Sequence, residues 1–132
     1  MAALHDILAA PALNGVYRLV RPADALPENL VPVLDGRTLA DQAELLGALG
    51  RALDLPDYYG GNWDALEECL NDLSWRAGPL WLVLHHAEAI PADQLATLTD
   101  IFAEAAAYWA DEGRGCSLFL DGLARDDLPE AT

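Results

Sequence analysis

The chain has 132 residues, 53% of them hydrophobic and 22% charged. At this length about two-thirds of the extended chain's surface can be buried, which fits one domain with a core and excludes two domains, a repeat array and a disordered chain. Seven arginines, no lysine and 22 acids leave a net charge of −15, a field that repels nucleic-acid phosphates and anionic membrane surfaces and attracts cationic partners.

Ala2 to Ala10 reads as a helical fragment and Val16 to Val20 as a strand. A loop carrying Pro22 and Pro27 follows. Val31 to Leu34 is a short apolar run ending in the turn dipeptide Asp35-Gly36, so a strand and a reversal are expected. Thr38, with Asp41 three residues on, offers an N-cap for a helix whose apolar face is Leu39, Leu45, Leu46, Leu49, Ala52 and Leu53, and which must stop before Pro56. Asn62 can cap a second helix from Trp63 to about Leu73, worth about 1 kcal/mol as a cap alone.

Leu80, Trp81, Leu82, Val83 and Leu84 run on without a polar break, as in a strand buried on both faces. Leu95, Leu98, Phe102, Ala105 and Trp109 recur at intervals of three and four and predict a long helix over Ala92 to Asp111. Gly113 and Gly115 end it, and Cys116 to Leu120 is the last strand. Strands alternating with helices predict an α/β fold, a small, mainly parallel sheet of three or four strands packed against helices. The acidic residues from Arg125 to Thr132 read as a disordered tail.

Cys69 and Cys116 are too few for a disulfide scaffold and have no zinc spacing, so both are expected to be reduced. No stretch approaches the ~20 apolar residues of a membrane span, and the first residues lack the basic start of a secretory signal. A cytoplasmic location is the expectation.

The chemistry concentrates in residues 57 to 75, DYYGGNWDALEECLNDLSW, which hold five carboxylates and no basic residue. On a helix, Ala65, Leu66, Cys69, Leu70 and Leu73 fall on one side and Asp64, Glu68, Asn71 and Trp75 on the other. Asp64 and Glu68 repel each other at i, i+4 with no counterion in the segment. Carboxylates beside aromatic rings suit a surface that binds arginine or lysine of a partner. In the opposing reading Tyr58 and Tyr59 cover the core, Trp75 folds back under the next strand, and the acids are merely solvated.

The run PDYYGGNWDALEECL, with its Tyr-Tyr-Gly-x-Asn-x-Asp-Ala-Leu-x-x-Cys-Leu pattern, resembles the signature of the barstar family of ribonuclease inhibitors. The likeness extends from about Val31 to Leu120. It implies a barstar-like domain over residues 30–121, preceded by an extension (1–29) whose strand would add an edge to the sheet, and followed by an acidic tail (122–132). It also implies a non-catalytic, cofactor-free, monomeric inhibitor whose acidic helix plugs the cationic active site of a basic ribonuclease or related toxin. The binding residues the resemblance implies are Tyr58, Asn62, Asp64, Glu68 and Glu104; Tyr59, Glu67, Asn71 and Trp75 of the same acidic, aromatic segment are expected to join them, although Asn71 stands where the family has a threonine and Trp75 lies two positions beyond the family's contact tryptophan. Glu68 stands where the family has an aspartate, and Glu67 where it has a tryptophan.

A second candidate is His85-His86 with Glu88, just after a buried strand, where open α/β sheets carry ligands. A metal or acid–base site is conceivable there. Against it, the spacing does not place ligands on one helical face, and adjacent strand residues point to opposite sides of the sheet.

Overall fold

The computed structural model describes residues 14–19, 32–75, 79–122 and 130–131. The helical fragment and the proline loop expected near the N-terminus, and most of the tail, lie outside these residues. In chain order the elements are β1 (Gly15–Leu19), β2 (Val33–Asp35), α1 (Gln42–Ala52), α2 (Trp63–Asn71), β3 (Leu80–His85), α3 (Ala92–Asp111), β4 (Cys116–Leu120) and β5 (Glu130–Ala131). Short 3-10 turns occupy Gly36–Thr38, Leu73–Trp75 and Ala87–Ala89. The sheet order is β2-β3-β4-β1-β5, and every pairing is parallel. The chain thus has the α/β architecture expected.

Two expectations change at the far side of the sheet. Glu130–Ala131 pair with Arg18 and Leu19, so this part of the tail is a strand rather than disordered, and the sheet has five strands. That pairing also places β1 between β4 and β5 instead of at the edge. Among the described residues, no helix is long and apolar enough to cross a membrane.

The core follows from the strand pattern. Leu80, Leu82 and Leu84 pair with Cys116, Leu118 and Leu120 on one face, and all six are fully buried against the helices. The alternate positions Val83, Ser117 and Phe119 are equally buried on the other face, which explains why β3 reads as an unbroken apolar run. There Tyr17, in register with Phe119, stacks on it at 5.7 Å. Leu95, Leu98, Phe102 and Ala105 seat α3 in the helix-side core.

Helix α1 starts later than the sequence suggests. Thr38 is not its cap: the Thr38 hydroxyl donates to the Asp35 carbonyl, closing a separate turn in which the Asp35 carboxylate accepts from the Arg37 amide. Asp41 caps instead, accepting from the Glu44 amide at 2.8 Å, and an acid three residues after the cap favours the positive end of the helix dipole. The helix stops as expected before Pro56. Asp54 takes a left-handed φ of 51°, and the amides of Leu55 and Asp54 donate to the carbonyls of Gly50 and Arg51, the paired bonds of a Schellman termination.

Candidate functional site

Helix α2 is held rigidly at both ends. At its start Asn62 Oδ1 accepts from the Ala65 amide at 2.8 Å, and Leu66, Cys69 and Leu70 anchor its inner face in the core. At its end the carbonyls that lack a helical partner are collected by side chains. The Trp75 indole donates to the Cys69 carbonyl at 2.9 Å and the Trp109 indole to Leu70 at 2.7 Å, while in the 3-10 turn that follows the helix the Arg114 guanidinium donates to Leu73 at 3.0 Å.

The preceding loop is pinned by Tyr59, whose hydroxyl donates to the Leu46 carbonyl at 2.8 Å while its ring lies over Gly50, so close that a Cβ there would sit 2.9 Å from it. Burial pushes the Tyr59 phenol up to about 12.

On the outer face, Tyr58, Asp64, Glu67, Glu68, Asn71 and Asp72 line an open cleft of about 580 Å³. Tyr58 is 59% exposed. Its hydroxyl donates to Asp72 Oδ2 at 3.3 Å, and the other Asp72 oxygen accepts from the Ser74 amide at 3.1 Å. Those bonds, from Ser74 first and then from Tyr58, hold the Asp72 carboxyl below its ordinary pKa. Partial desolvation, and then the neighbouring Asp72 charge, raises that of Tyr58.

Among the described residues, no arginine or histidine pairs with Asp64, Glu67 or Glu68. The last turn of α2 carries no basic residue either, although negative charge at a helix C-terminus is unfavourable. The face is therefore an array of carboxylates that no cation among the described residues neutralises, beside an exposed aromatic ring. It can accept charge-assisted hydrogen bonds from guanidinium or ammonium groups of another molecule.

The structure gathers Tyr58, Asp64, Glu67, Glu68 and Asn71 of the sequence candidates and leaves four apart. Asn62 is at the helix cap, its side-chain oxygen engaged with the backbone. Tyr59 and Trp75 turn toward the core and pack against it. Trp75 leaves the polar stripe because α2 ends at Asn71; Asp72, at φ −123° and ψ 93°, breaks the helical rotation on which that stripe was projected. Glu104 is exposed on α3 and does not line the cleft. Sequence reasoning counted Asp72 among the carboxylates without selecting it. The local signal was Asp-x-Ser, a pattern in which a carboxylate accepts from the amide two residues on.

The histidine candidate sits at the C-terminal end of the sheet. His86 has a left-handed φ of 55°, and this reversal brings the two rings to 4.0 Å instead of onto opposite faces. His85 Nδ1 lies 2.7 Å from Asp121 Oδ2, the other Asp121 oxygen accepts from the His86 amide at 2.8 Å, and His86 Nδ1 lies 3.2 Å from Glu88. Asp121, nearly buried, is the residue that sequence reasoning missed here. Among the described residues, no three His, Cys, Asp or Glu side chains are arranged to hold a metal ion.

Comparison with known proteins covers both of these regions. The family model described as Barstar (barnase inhibitor) matches residues 29–121. The chain belongs to the barstar family. A relative in Bacillus subtilis (strain 168), named "Putative ribonuclease inhibitor YrdF", is 45% identical over 56 residues, 42% of this chain. The match spans 59% of that relative's length. The α2 face and its loop lie wholly within the part of the chain that the barstar-family model covers.

Proposed function

We propose that this protein is a non-catalytic inhibitor of a basic ribonuclease or related cationic toxin, and that it acts by seating Tyr58 and the outer face of α2 in the partner's cationic active site. The carboxylates stand in for the phosphates of an RNA substrate, and Tyr58 supplies apolar contact area among them. One observation carries the reading: Asp64, Glu67 and Glu68 have no cationic partner among the described residues, on a helix clamped at both ends within a family named for nuclease inhibition. Fixed charges lose little conformational freedom on binding, which favours affinity. The net charge of −15 accelerates encounter with a cationic partner at low salt.

The test is a panel of basic ribonucleases, barnase first, assayed for RNA cleavage with added protein at low and high salt. Stoichiometric inhibition is expected with at least one, slower to form at high salt and lost in Asp64→Ala/Glu68→Ala. Full cleavage by every enzyme, or inhibition indifferent to both salt and the double substitution, overturns the reading.

A further inference from the structure

We propose that Asp72 is a positioning residue of the inhibitory surface, holding the Tyr58 ring in the orientation that meets the partner. This rests on the inhibitor reading above and adds to it a residue that the family resemblance does not supply.

The value of Tyr58 as an anchor depends on its ring being held. A tyrosine binds well because its ring is large and, once fixed, loses little freedom in the complex. Tyr58 is mostly exposed, so burial does not fix it. The backbone beside it is set, because Tyr59 donates its amide to the Pro56 carbonyl at 2.9 Å and its hydroxyl to Leu46. Among the described residues, the one hydrogen bond of the Tyr58 side chain runs to Asp72 Oδ2, 14 residues away in sequence.

Asp72 is itself fixed at both backbone and side chain. Its amide donates to the Glu68 carbonyl at 3.0 Å, and at φ −123° and ψ 93° it turns the chain out of α2. Its second carboxylate oxygen accepts from the Ser74 amide. Just before it, the indoles of Trp75 and Trp109 hold the carbonyls of Cys69 and Leu70. Tyr58 is therefore tied to a helix end that is clamped in its own right.

Its charge is no local advantage. Asp72 stands at the C-terminal end of α2, where the helix dipole disfavours a negative group. Four carboxylates line the cleft, and they divide by what they bond. Both oxygens of Asp72 accept from donors within the chain. Asp64, Glu67 and Glu68 have no side-chain hydrogen bond or ion pair among the described residues. The acceptors of Asp72 serve geometry, and those of the other three are open to the partner.

The experiment measures affinity for the ribonuclease that the protein inhibits in Asp72→Ala, Asp72→Asn, Tyr58→Phe and the double variant Asp72→Ala/Tyr58→Phe. Freeing a side chain that binding must order again is expected to weaken Asp72→Ala about 3- to 10-fold. Tyr58→Phe removes the same bond from its other end, so the double variant is expected to be no weaker than the weaker single one. Asp72→Asn keeps an oxygen for the Ser74 amide and a polar group beside the Tyr58 hydroxyl, and is expected to recover most of the loss. On a nuclease whose binding Asp64→Ala/Glu68→Ala abolishes, three results end the proposal and leave the inhibitor reading standing. They are an Asp72→Ala affinity within about twofold of the original, losses that multiply in the double variant, and an Asp72→Asn protein as weak as Asp72→Ala, which makes Asp72 a direct charge contact. Failure of the unaltered protein to bind any nuclease in the panel overturns both. Should Asp72→Ala not fold, the proton couplings about the Cα–Cβ bond of residue 58 decide. A single rotamer in the original protein that averages in Tyr58→Phe supports the proposal, and equal couplings in the two refute it.

Discussion

Two acid-rich regions of this molecule treat their charges in opposite ways. At the C-terminal end of the sheet each carboxylate has an internal match. Asp35 accepts from Arg37 through both oxygens, Oδ1 at 3.1 Å and Oδ2 at 2.8 Å, and is held down to about 2 chiefly by those bonds. Asp121 takes the His85 ring and the His86 amide, and Glu88 takes the His86 ring. On α2, Asp64, Glu67 and Glu68 have no such match among the described residues, and Asp72 is met by two neutral donors, Tyr58 and Ser74. A satisfied cluster can shape the fold without a ligand. An unsatisfied one, fixed on a clamped helix, retains repulsion that an outside cation relieves.

The sharpest way to break this contrast is to remove charge from each region. Asp64→Ala/Glu68→Ala is expected to cost nuclease binding about 2–5 kcal/mol for each contact that is buried and charge-assisted in the complex. The same change should leave thermal stability within about 1 kcal/mol of the original, since deleting a like-charge pair offsets the loss of the Asp64 charge from the first turn of α2. Calorimetric titration and a melting curve on one sample read both quantities. A loss of stability well beyond about 1 kcal/mol would mean that these carboxylates are structural after all.

Asp121→Ala should behave in the reverse sense. It strands the His86 amide and removes the partner of the His85 ring, at a cost of about 1–3 kcal/mol for an unsatisfied buried donor. The turn it loosens is crowded: a Cβ on Gly36 would collide with the His86 carbonyl. Chemical denaturation is expected to show the lower midpoint, and nuclease binding to stay unchanged. Binding lost along with stability would join the two regions into one site.

How much of this was legible in the sequence depends on the range of the interaction involved. The bounds of α3 and β4 are as expected, Ala92–Asp111 and Cys116–Leu120, because apolar spacing is a local record of which face is buried. Asn62 capped α2 as read, since a cap needs only the next three residues. The errors arose where a side chain answers to something distant in sequence. Trp75 was projected on a helix that had already ended, and its indole went to the Cys69 carbonyl. Tyr59 reaches back 13 residues to Leu46. The two histidines were assigned to opposite faces by strand alternation, which the left-handed turn at His86 cancels. Asp121, which bonds to that turn, is 35 residues away in sequence. The acidic face survived these errors because the charges of Asp64, Glu67 and Glu68 face solvent, where helix periodicity alone decides direction.

The smallest expected effect concerns the strut under the acidic loop, and it is read best in alkali. Tyr59→Phe removes one hydrogen bond and should cost about 0.5–1.5 kcal/mol at neutral pH. The folded state holds the Tyr59 phenol up to about 12, against 10.0 ordinarily, because burial disfavours its anion. A group raised in this way contributes its full stability below pH 10 and loses it as pH climbs to about 12, because the unfolded chain gives up the proton first. Burial likewise pushes the Cys116 thiol up to about 12 from 9.0, with the same sign over a window that opens one unit earlier. The original protein should therefore weaken steadily from about pH 9 to 12. Tyr59→Phe should be less stable at pH 7 yet fall less steeply above pH 10, so that the two curves of stability against pH converge. Parallel curves across that window would mean that the phenol is not buried as described, and that the loop carrying Tyr58 is held by something other than this strut.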